Sequence, residues 1–430
     1  MIRRILFFLL LIISTQLFSQ RTTSSPYSIF GVGEEFGSST VEQIGMGRIG
    51  AAYSSNRYLN FINPAAHADL RFTTYSFGAL NNRLQVKDVD TNQSNKTTTL
   101  SYVALGFPIG KKAGVVFGMQ PTSAIGYSFI NNVLDSSGDI IDLTQFEGSG
   151  SLNRVYGGFG IILFKGFSVG FEADFLFGNM ENSLLNARQN VALATKNNED
   201  SDIRGGSLKI GAQYKKTLKN ELQLNLGASL TLSNTLKATG TENLYSLALG
   251  AVGDEVPRDT IFSGTLRGNF ERPLETVVGI GIGKENKWFA EVDYKFQSAL
   301  VPTGFLDNSA QSLRYGNSSR LSIGGFYIPK INSISSYWER VTYRAGMRVE
   351  KTGLLANGNP NGNTFTEVND FGISFGLGLP IGKRTPSTLN FTFEYGKKGT
   401  TDNGLLQENY LNLRLSLSLN DIWFRKRTID

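Results

Sequence analysis

The chain has 430 residues, no cysteine, and a formal charge of +6 from 42 basic and 36 acidic side chains. Zero cysteine excludes a lipoprotein anchor, disulfides and thiolate chemistry, and so small a charge on so long a chain offers no nucleic-acid surface. Charged residues make up only 18 %, glycines number 48, and no long apolar run follows residue 13, which excludes a bundle of membrane-spanning helices.

The first segment reads as a secretory signal peptide over residues 1–19. Arg3 and Arg4 form its basic start and Ile5 to Ile13 its apolar stretch, nine residues and too short to span a bilayer as a helix. Cleavage is placed after Ser19. Residues 20–68 are rich in Gly, Ser and Asn and lack regular alternation, yet carry Phe30, Val32, Phe36, Ile44, Met46, Ile49, Leu59, Phe61 and Ile62. A segment this apolar needs something to pack against, which predicts a hatch or plug in a lumen. Asn63-Pro64-Ala65, followed by His67, reads as the corner where this segment turns into the first strand at about Asp69, since Asn favours turns and Pro holds the preceding residue extended.

From 69 to 424 the chain reads as strand after strand of period-2 alternation. Fourteen strands are expected near 69–86, 95–108, 112–131, 149–164, 166–185, 203–217, 221–237, 259–283, 287–300, 311–327, 340–353, 365–379, 388–397 and 405–420, the eighth with a break at Pro273. In the last, Leu411, Leu413, Leu415, Leu417 and Leu419 point one way and Asn412, Arg414, Ser416, Ser418 and Asn420 the other. Many such strands with no helices between them predict an all-β fold: a 14-stranded antiparallel transmembrane β-barrel, apolar towards lipid and polar towards the lumen, in the outer membrane of a Gram-negative bacterium. Connections after even-numbered strands are short, apart from 329–339, and those after odd-numbered strands are longer (131–149, 186–202, 238–258), matching periplasmic turns and extracellular loops. Residues 425–430, with Arg425-Lys426-Arg427, read as a basic periplasmic tail.

The alternation assigns Glu172, Asp174, Glu291, Asp293, Lys295, Arg344, Arg348, Glu350, Glu394 and Arg414 to the lumen. Their mixed signs suit ion pairs that hold the hatch or brace facing walls better than a charge-selective pore. Pro121, within Gln120-Pro121-Thr122 of the third strand, removes a ladder N–H in a barrel that has no edge, so it marks a local break. That break reads either as a lateral gate or as a bulge with no traffic. His67 is the only histidine. It suits a satisfied side chain at the periplasmic mouth better than a pH sensor, and with no second His and no Cys it suggests neither a metal site nor a catalytic triad. No cofactor and no enzymatic activity are expected.

With its signal peptide, its Gly-rich N-terminal segment holding Asn63-Pro64-Ala65, and its fourteen strands, the chain resembles the outer-membrane long-chain fatty-acid and hydrocarbon channel family (FadL-like). Ser25-Pro26-Tyr27-Ser28-Ile29-Phe30-Gly31 and the ending Leu417 to Phe424 resemble Bacteroidota members. The resemblance implies a lumenal hatch, a kinked third strand that opens the wall sideways, and passage of hydrophobic molecules into the membrane. The expected function is passive uptake of fatty-acid-like molecules, with outer-membrane lipid and a hydrophobic small molecule as partners. Two alternatives stand beside it: a structural or accessory component of a type IX-like protein secretion system, with secretion proteins as partners, and a surface-binding protein that uses its loops alone.

Overall fold

The computed structural model describes residues 23–29, 31–89, 91–250, 254–307, 312–358, 363–381 and 386–423. The expected signal peptide and basic tail lie outside these residues. The rest is a closed antiparallel barrel of fourteen strands. They are β1 (Thr73–Lys87), β2 (Asn92–Ile109), β3 (Ala113–Leu134), β4 (Ile140–Phe164), β5 (Phe167–Arg188) and β6 (Ala194–Thr217). There follow β7 (Leu222–Thr231 and Asn234–Leu249), β8 (Glu255–Arg272 and Glu275–Lys284), β9 (Trp288–Gln297 and Val301–Gly304) and β10 (Leu313–Tyr315 and Ser318–Tyr327). Last come β11 (Thr342–Ala356), β12 (Thr366–Pro380), β13 (Thr388–Gly399) and β14 (Gln407–Asp421). β8 is interrupted at Pro273, as the missing N–H requires. β14 closes on β1 along its full length, from Gln407↔Lys87 to Asp421↔Thr73.

The outer face is apolar because the alternation holds its register all the way round. Leu413 and Leu415 are 50 % and 42 % exposed, while Ser416 between their rows is 1 % exposed. Phe171, Phe175, Ile280, Val292, Ile323, Val349, Phe375 and Phe393 continue the belt. In the outer membrane these side chains would be covered by lipid. An apolar belt around a polar interior is the pattern of an outer-membrane barrel.

The wall is uneven in height. β3 to β6 have 22, 25, 22 and 24 residues, against 15, 12 and 15 for β12 to β14. A strand needs only about 9–11 residues to cross the bilayer, so the tall strands stand well clear of it. This corrects the expected long loops at 131–149, 186–202 and 238–258: most of their length is strand, and the turns are short, at 135–139 and 189–193. Clear of lipid, neither face of a strand has to be apolar, so the period-2 signal fades although the hydrogen-bonded ladder continues.

Residues 23–72 lie inside the barrel. They form a 3-10 helix at Pro26–Ile29, a two-residue strand at Glu34–Glu35, a single turn of α-helix at Val41–Ile44 and a 3-10 helix at Pro64–Asp69. The α-turn is too short to persist by itself. A capping box fixes it: the Gln43 N–H donates to Thr40 Oγ1, and the Thr40 N–H donates to Gln43 Oε1. Val41, Leu59, Phe61 and Leu70 then pack on Tyr102, Val116 and Tyr156 of the wall. The first strand starts at Thr73, not at about Asp69, because Pro64–Asp69 coils into the 3-10 helix before the chain extends.

Leu415→Arg places a cation in lipid at mid-strand and is expected to destabilise the folded barrel by about 2–4 kcal/mol. Ser416→Ala removes the hydrogen bond it donates to Glu42 and the one it accepts from Asn390 on the inner face and is expected to cost about 1–2 kcal/mol. Equilibrium unfolding in lipid vesicles checks both. The lumen side of β14 is covered by the N-terminal segment, so a bulky replacement at Ser416 meets protein and not the water that the alternation alone suggests.

Candidate functional site

Part of the interior is built on contacts in which the wall contributes no side chain. A Cβ added to Gly211 of β6 would fall 2.0 Å from Asn63 Oδ1, one on Gly170 of β5 2.3 Å from the Ala65 nitrogen, and one on Gly227 of β7 1.9 Å from the Ala51 carbonyl. Across the lumen, Gly324 of β10 and Gly346 of β11 leave the same room for Met46 and Gly47. Glycine is the residue that lets two backbones approach this closely.

Asn63 sits at the centre of this packing and is fully buried. Its side-chain oxygen accepts from the Ala65 N–H at 3.0 Å and so caps the Pro64–Asp69 helix. Its amide nitrogen donates to the carbonyls of Ala51, Ala212 and Ala228 at 2.7, 3.1 and 3.2 Å. One side chain therefore ties the N-terminal segment to β6 and β7. Asn63 and Pro64 are lodged against the wall and not at the corner into β1.

All ten expected lumen charges face inward or lie at the inner rim, and they fall into five groups. Arg154 of β4 donates through Nη1 to Glu172 Oε1 at 3.0 Å and Asp174 Oδ1 at 3.1 Å, and Lys209 of β6 donates to Glu172 Oε1 at 2.7 Å and to the Phe61 carbonyl at 3.1 Å. Glu291 and Asp293 of β9 have no cation as ion-pair partner among the described residues. They accept backbone N–H groups instead: Gly50 and Ala51 donate to Asp293 Oδ2 at 2.7 and 3.0 Å, and Ala52 donates to Glu291 Oε1 at 2.6 Å. Arg348 donates to Glu350, Asp370, Glu394 and the Tyr410 hydroxyl, and Glu394 also meets Arg414 at 3.4 Å. Lys295 pairs with Glu275 at 2.6 Å, and Arg344 donates to Asn390 Oδ1 at 3.2 Å.

Sequence reasoning missed several members. Lys209 stands between Leu208 and Ile210, so the pattern that found Glu172 could have found it, whereas Arg154 and Asp370 follow Asn153 and Asn369, where the alternation is weaker. Glu42, which accepts from Asn390, Ser416 and Ser418 at 2.8, 2.9 and 2.8 Å, and Arg48 lie in the segment without alternation, and no local signal marks them.

His67 departs from expectation. It is 1 % exposed, and neither ring nitrogen has a hydrogen-bond partner. Its backbone and ring fill the space over Gly114, Gly158 and Gly160. It is a buried side chain without a protein partner, and not the satisfied one at the mouth that was expected. Burial pushes its pKa down from 6.5 to about 4, Glu172 opposing and Lys209 reinforcing the shift.

The expected break at Gln120, Pro121 and Thr122 is larger than a bulge. Pro121 pairs with Asn153 and Ser123 with Leu152, leaving Thr122 as the extra residue on β3. On the other side, β2 and β3 pair only from Ile109↔Ala113 to Val103↔Met119. Beyond Met119 β3 has no partner in β2, although β4 accompanies it to Leu134. Part of this free edge is occupied from within: Glu34 pairs with Ala124, Glu35 with Ser123, and the Phe36 N–H donates to the Thr122 carbonyl at 2.7 Å. The Gln120 side chain is buried and its Oε1 has no donor.

A cavity of about 820 Å³ lies on the β2–β3 side of this gap, lined by Phe77, Leu100, Val103, Phe117, Met119 and Val155 among others. A second, of about 290 Å³, occupies the lumen among charged and apolar groups. Thr99, Gln120 and Pro121 border both. Below the gap the inner side is closed by Phe61, whose ring meets those of Tyr102 and Tyr156 edge-on at 5.1 and 5.6 Å. Above it, Val32, Ile125, Leu152, Leu176, Met180 and Phe270 form an apolar cluster.

A family model described as BamG matches residues 1–430. No curated protein matches the chain. Among solved structures, the chain is similar to the CymD monoaromatic hydrocarbon channel, with TM-score 0.59, 15 % identity, and 89 % of this chain and 98 % of that one covered. It is similar to the Pseudomonas putida toluene transporter TodX, with TM-score 0.59, 15 % identity and coverage of 92 % and 100 %. A Pseudomonas aeruginosa FadL homologue aligns with TM-score 0.57, 11 % identity and coverage of 91 % and 100 %. At these identities the likeness establishes the fold.

Gly211→Val forces a side chain into Asn63 and is expected to dislodge the segment, read as faster proteolysis of residues 40–70 in the folded barrel. Gly157→Ala, whose nearest neighbour is the Phe117 ring at 3.4 Å, is expected to leave proteolysis unchanged. For His67 the folded pKa lies below the ordinary value, so docking is at full strength above about pH 6.5 and weakens as pH falls from there towards 4. Proteolysis of the segment is expected to accelerate across that window in the parent and to stay level in His67→Phe.

Proposed function

Because the chain belongs to the BamG family and folds as a FadL-type barrel, we propose that it is a passive outer-membrane channel for hydrophobic small molecules, which leave sideways between β2 and β3. One observation carries the reading: the hydrogen-bonded wall ends at Val103↔Met119 on one side of β3 and continues on the other. In a lipid environment unpaired backbone is tolerated only where protein or a cavity satisfies it, and the gap has both, in residues 34–36 and the two cavities. Residues 23–72 act as the hatch. The apolar cluster above the gap supports entry of an apolar molecule from the extracellular side, and the Phe61, Tyr102 and Tyr156 rings close the way down to the periplasm. Gln120-Pro121-Thr122 is then the gate, its bulge turning β3 away from β2. No bond is made or broken in this passage. TodX is described as a toluene transporter, which makes toluene a suitable first probe here.

Gln120→Trp puts a bulky ring at a residue that borders both cavities. It is expected to lower uptake of labelled toluene into proteoliposomes by about fivefold, on the order of 1 kcal/mol in barrier, with the barrel still folded. Unchanged uptake would rule out exit through this gap.

A second reading, a structural or accessory outer-membrane component, is favoured by the connection between β10 and β11, where Ile334, Tyr337 and Trp338 are exposed on the periplasmic side. On that reading Ile334→Ser with Trp338→Ser would abolish co-purification of a partner protein and leave toluene uptake unchanged.

A further inference from the structure

One row of inward-facing residues runs across β9 to β14 in direct register: Lys295 faces Arg320, Arg320 faces Glu350, Glu350 faces Asp370, Asp370 faces Lys398, and Lys398 faces Glu408. Five of the six have ion pairs. Lys295 holds Glu275 at 2.6 Å, Glu350 and Asp370 share Arg348 at 3.2 and 2.6 Å, and Lys398 meets Glu34 at 3.1 Å and Glu408 at 3.9 Å.

Arg320 is the exception. It is 6 % exposed, and among the described residues no hydrogen bond or ion pair holds its guanidinium. Its neighbour on β9 is a like charge, which is unfavourable for directly opposed residues, and its neighbour on β11, Glu350, is the nearest opposing charge but makes its direct contact with Arg348. A second guanidinium comes from the N-terminal segment. Arg48 meets Glu394 only at 3.7 Å, and its Nε is buried without a partner. The two converge over Gly37: Arg48 Nη1 and Arg320 Nη1 lie 3.0 and 3.8 Å from the point that a Cβ on this residue would occupy. Both line the 290 Å³ cavity, as do Gly37, Ser38 and Ser39.

We propose that the space between Arg48 and Arg320 is a binding site for an oxyanion, a phosphate or carboxylate group. Guanidinium groups present paired N–H donors that match such groups and bind them with charge-assisted hydrogen bonds. Arg48 belongs to the N-terminal segment and Arg320 to β10, so the bound anion joins the two and fastens the segment to the wall on that side. The site stands whether or not hydrophobic molecules leave through the β2–β3 gap. The anion is either a free ion or the headgroup of an amphiphile whose tail lies elsewhere in the lumen.

The test is calorimetric titration of the detergent-purified full chain with inorganic phosphate and, in parallel, with octyl phosphate. Saturable binding is expected, weakened about tenfold or more by Arg320→Gln and by Arg48→Gln. Arg83→Gln, at an exposed position on β1, is expected to bind like the parent. Arg48→Gln alters no strand, so it carries the test if the wall variant fails to fold, and heat-modifiable gel migration reports folding in each case. Octyl phosphate binding about tenfold more tightly, with the same dependence on Arg320, assigns the site to a headgroup. Equal affinities assign it to a free ion. No saturable heat with either probe, or a folded Arg320→Gln that binds like the parent, overturns the site.

Discussion

Everything inside this barrel depends on the close approach of two backbones. Residues 45–68 lie directly on wall positions occupied by Gly170, Gly211, Gly227, Gly324 and Gly346, where a single methyl group would collide with main-chain or Asn63 atoms. Once side chains are removed from that surface, the segment and the wall must satisfy each other's polar groups, because no water fits between them. Asn63 does this towards β6 and β7, and Asp293 and Glu291 do it towards β9. A buried polar group left without a partner costs about 1–3 kcal/mol, so each of these contacts both holds the segment and specifies where it sits.

The charges follow from the same constraint. An inward carboxylate in an open, water-filled pore needs no partner. Here the lumen is largely filled, and most inward charges meet a counter-charge or a backbone N–H. Breaking one member of a buried pair is costlier than the pair is stabilising, because the survivor stays buried and uncompensated. The arrangement therefore favours one position of the segment over others more strongly than it favours the folded state as a whole. Arg320 and His67 are two of the places where satisfaction stops, and they differ. Arg320 keeps a permanent charge beside a cavity, whereas His67 is neutral in an apolar niche of glycines.

The gap between β2 and β3 shows what a closed barrel does when one of its ladders ends early. A free strand edge invites pairing with another chain. Residues 34–36 occupy part of this edge from inside, and Thr122 is squeezed out opposite Leu152. The same three residues tie the edge to the charged interior, since Glu34 accepts from Lys398 at 3.1 Å and from Thr23 at 2.6 Å. The covering of the gap and the ion pairs of β13 are thus mechanically one piece.

The barrel was legible from the sequence where lipid imposes it. Leu411 to Leu419 and Phe167 to Phe177 must alternate because one face meets hydrocarbon, and that pattern gave the strand count, the closure and the inward direction of Glu172, Arg348 and Arg414. Pro121 and Pro273 were legible because a missing N–H interrupts any ladder. The upper parts of β4, β6 and β7 were not, because strands outside the bilayer need no apolar face. Which inward charges meet was also beyond the sequence. The row from Lys295 to Glu408 joins residues of six strands, and only the register places them opposite one another. Residues 23–72 hold no period at all: their apolar content announced burial, but the landing of Asn63 on Gly211, of Gly50 on Asp293 and of Arg48 beside Arg320 was decided by the tertiary structure. Alternation is a local consequence of a two-sided environment, whereas the course of an irregular segment is set by the shape and the unsatisfied polar groups of the wall around it.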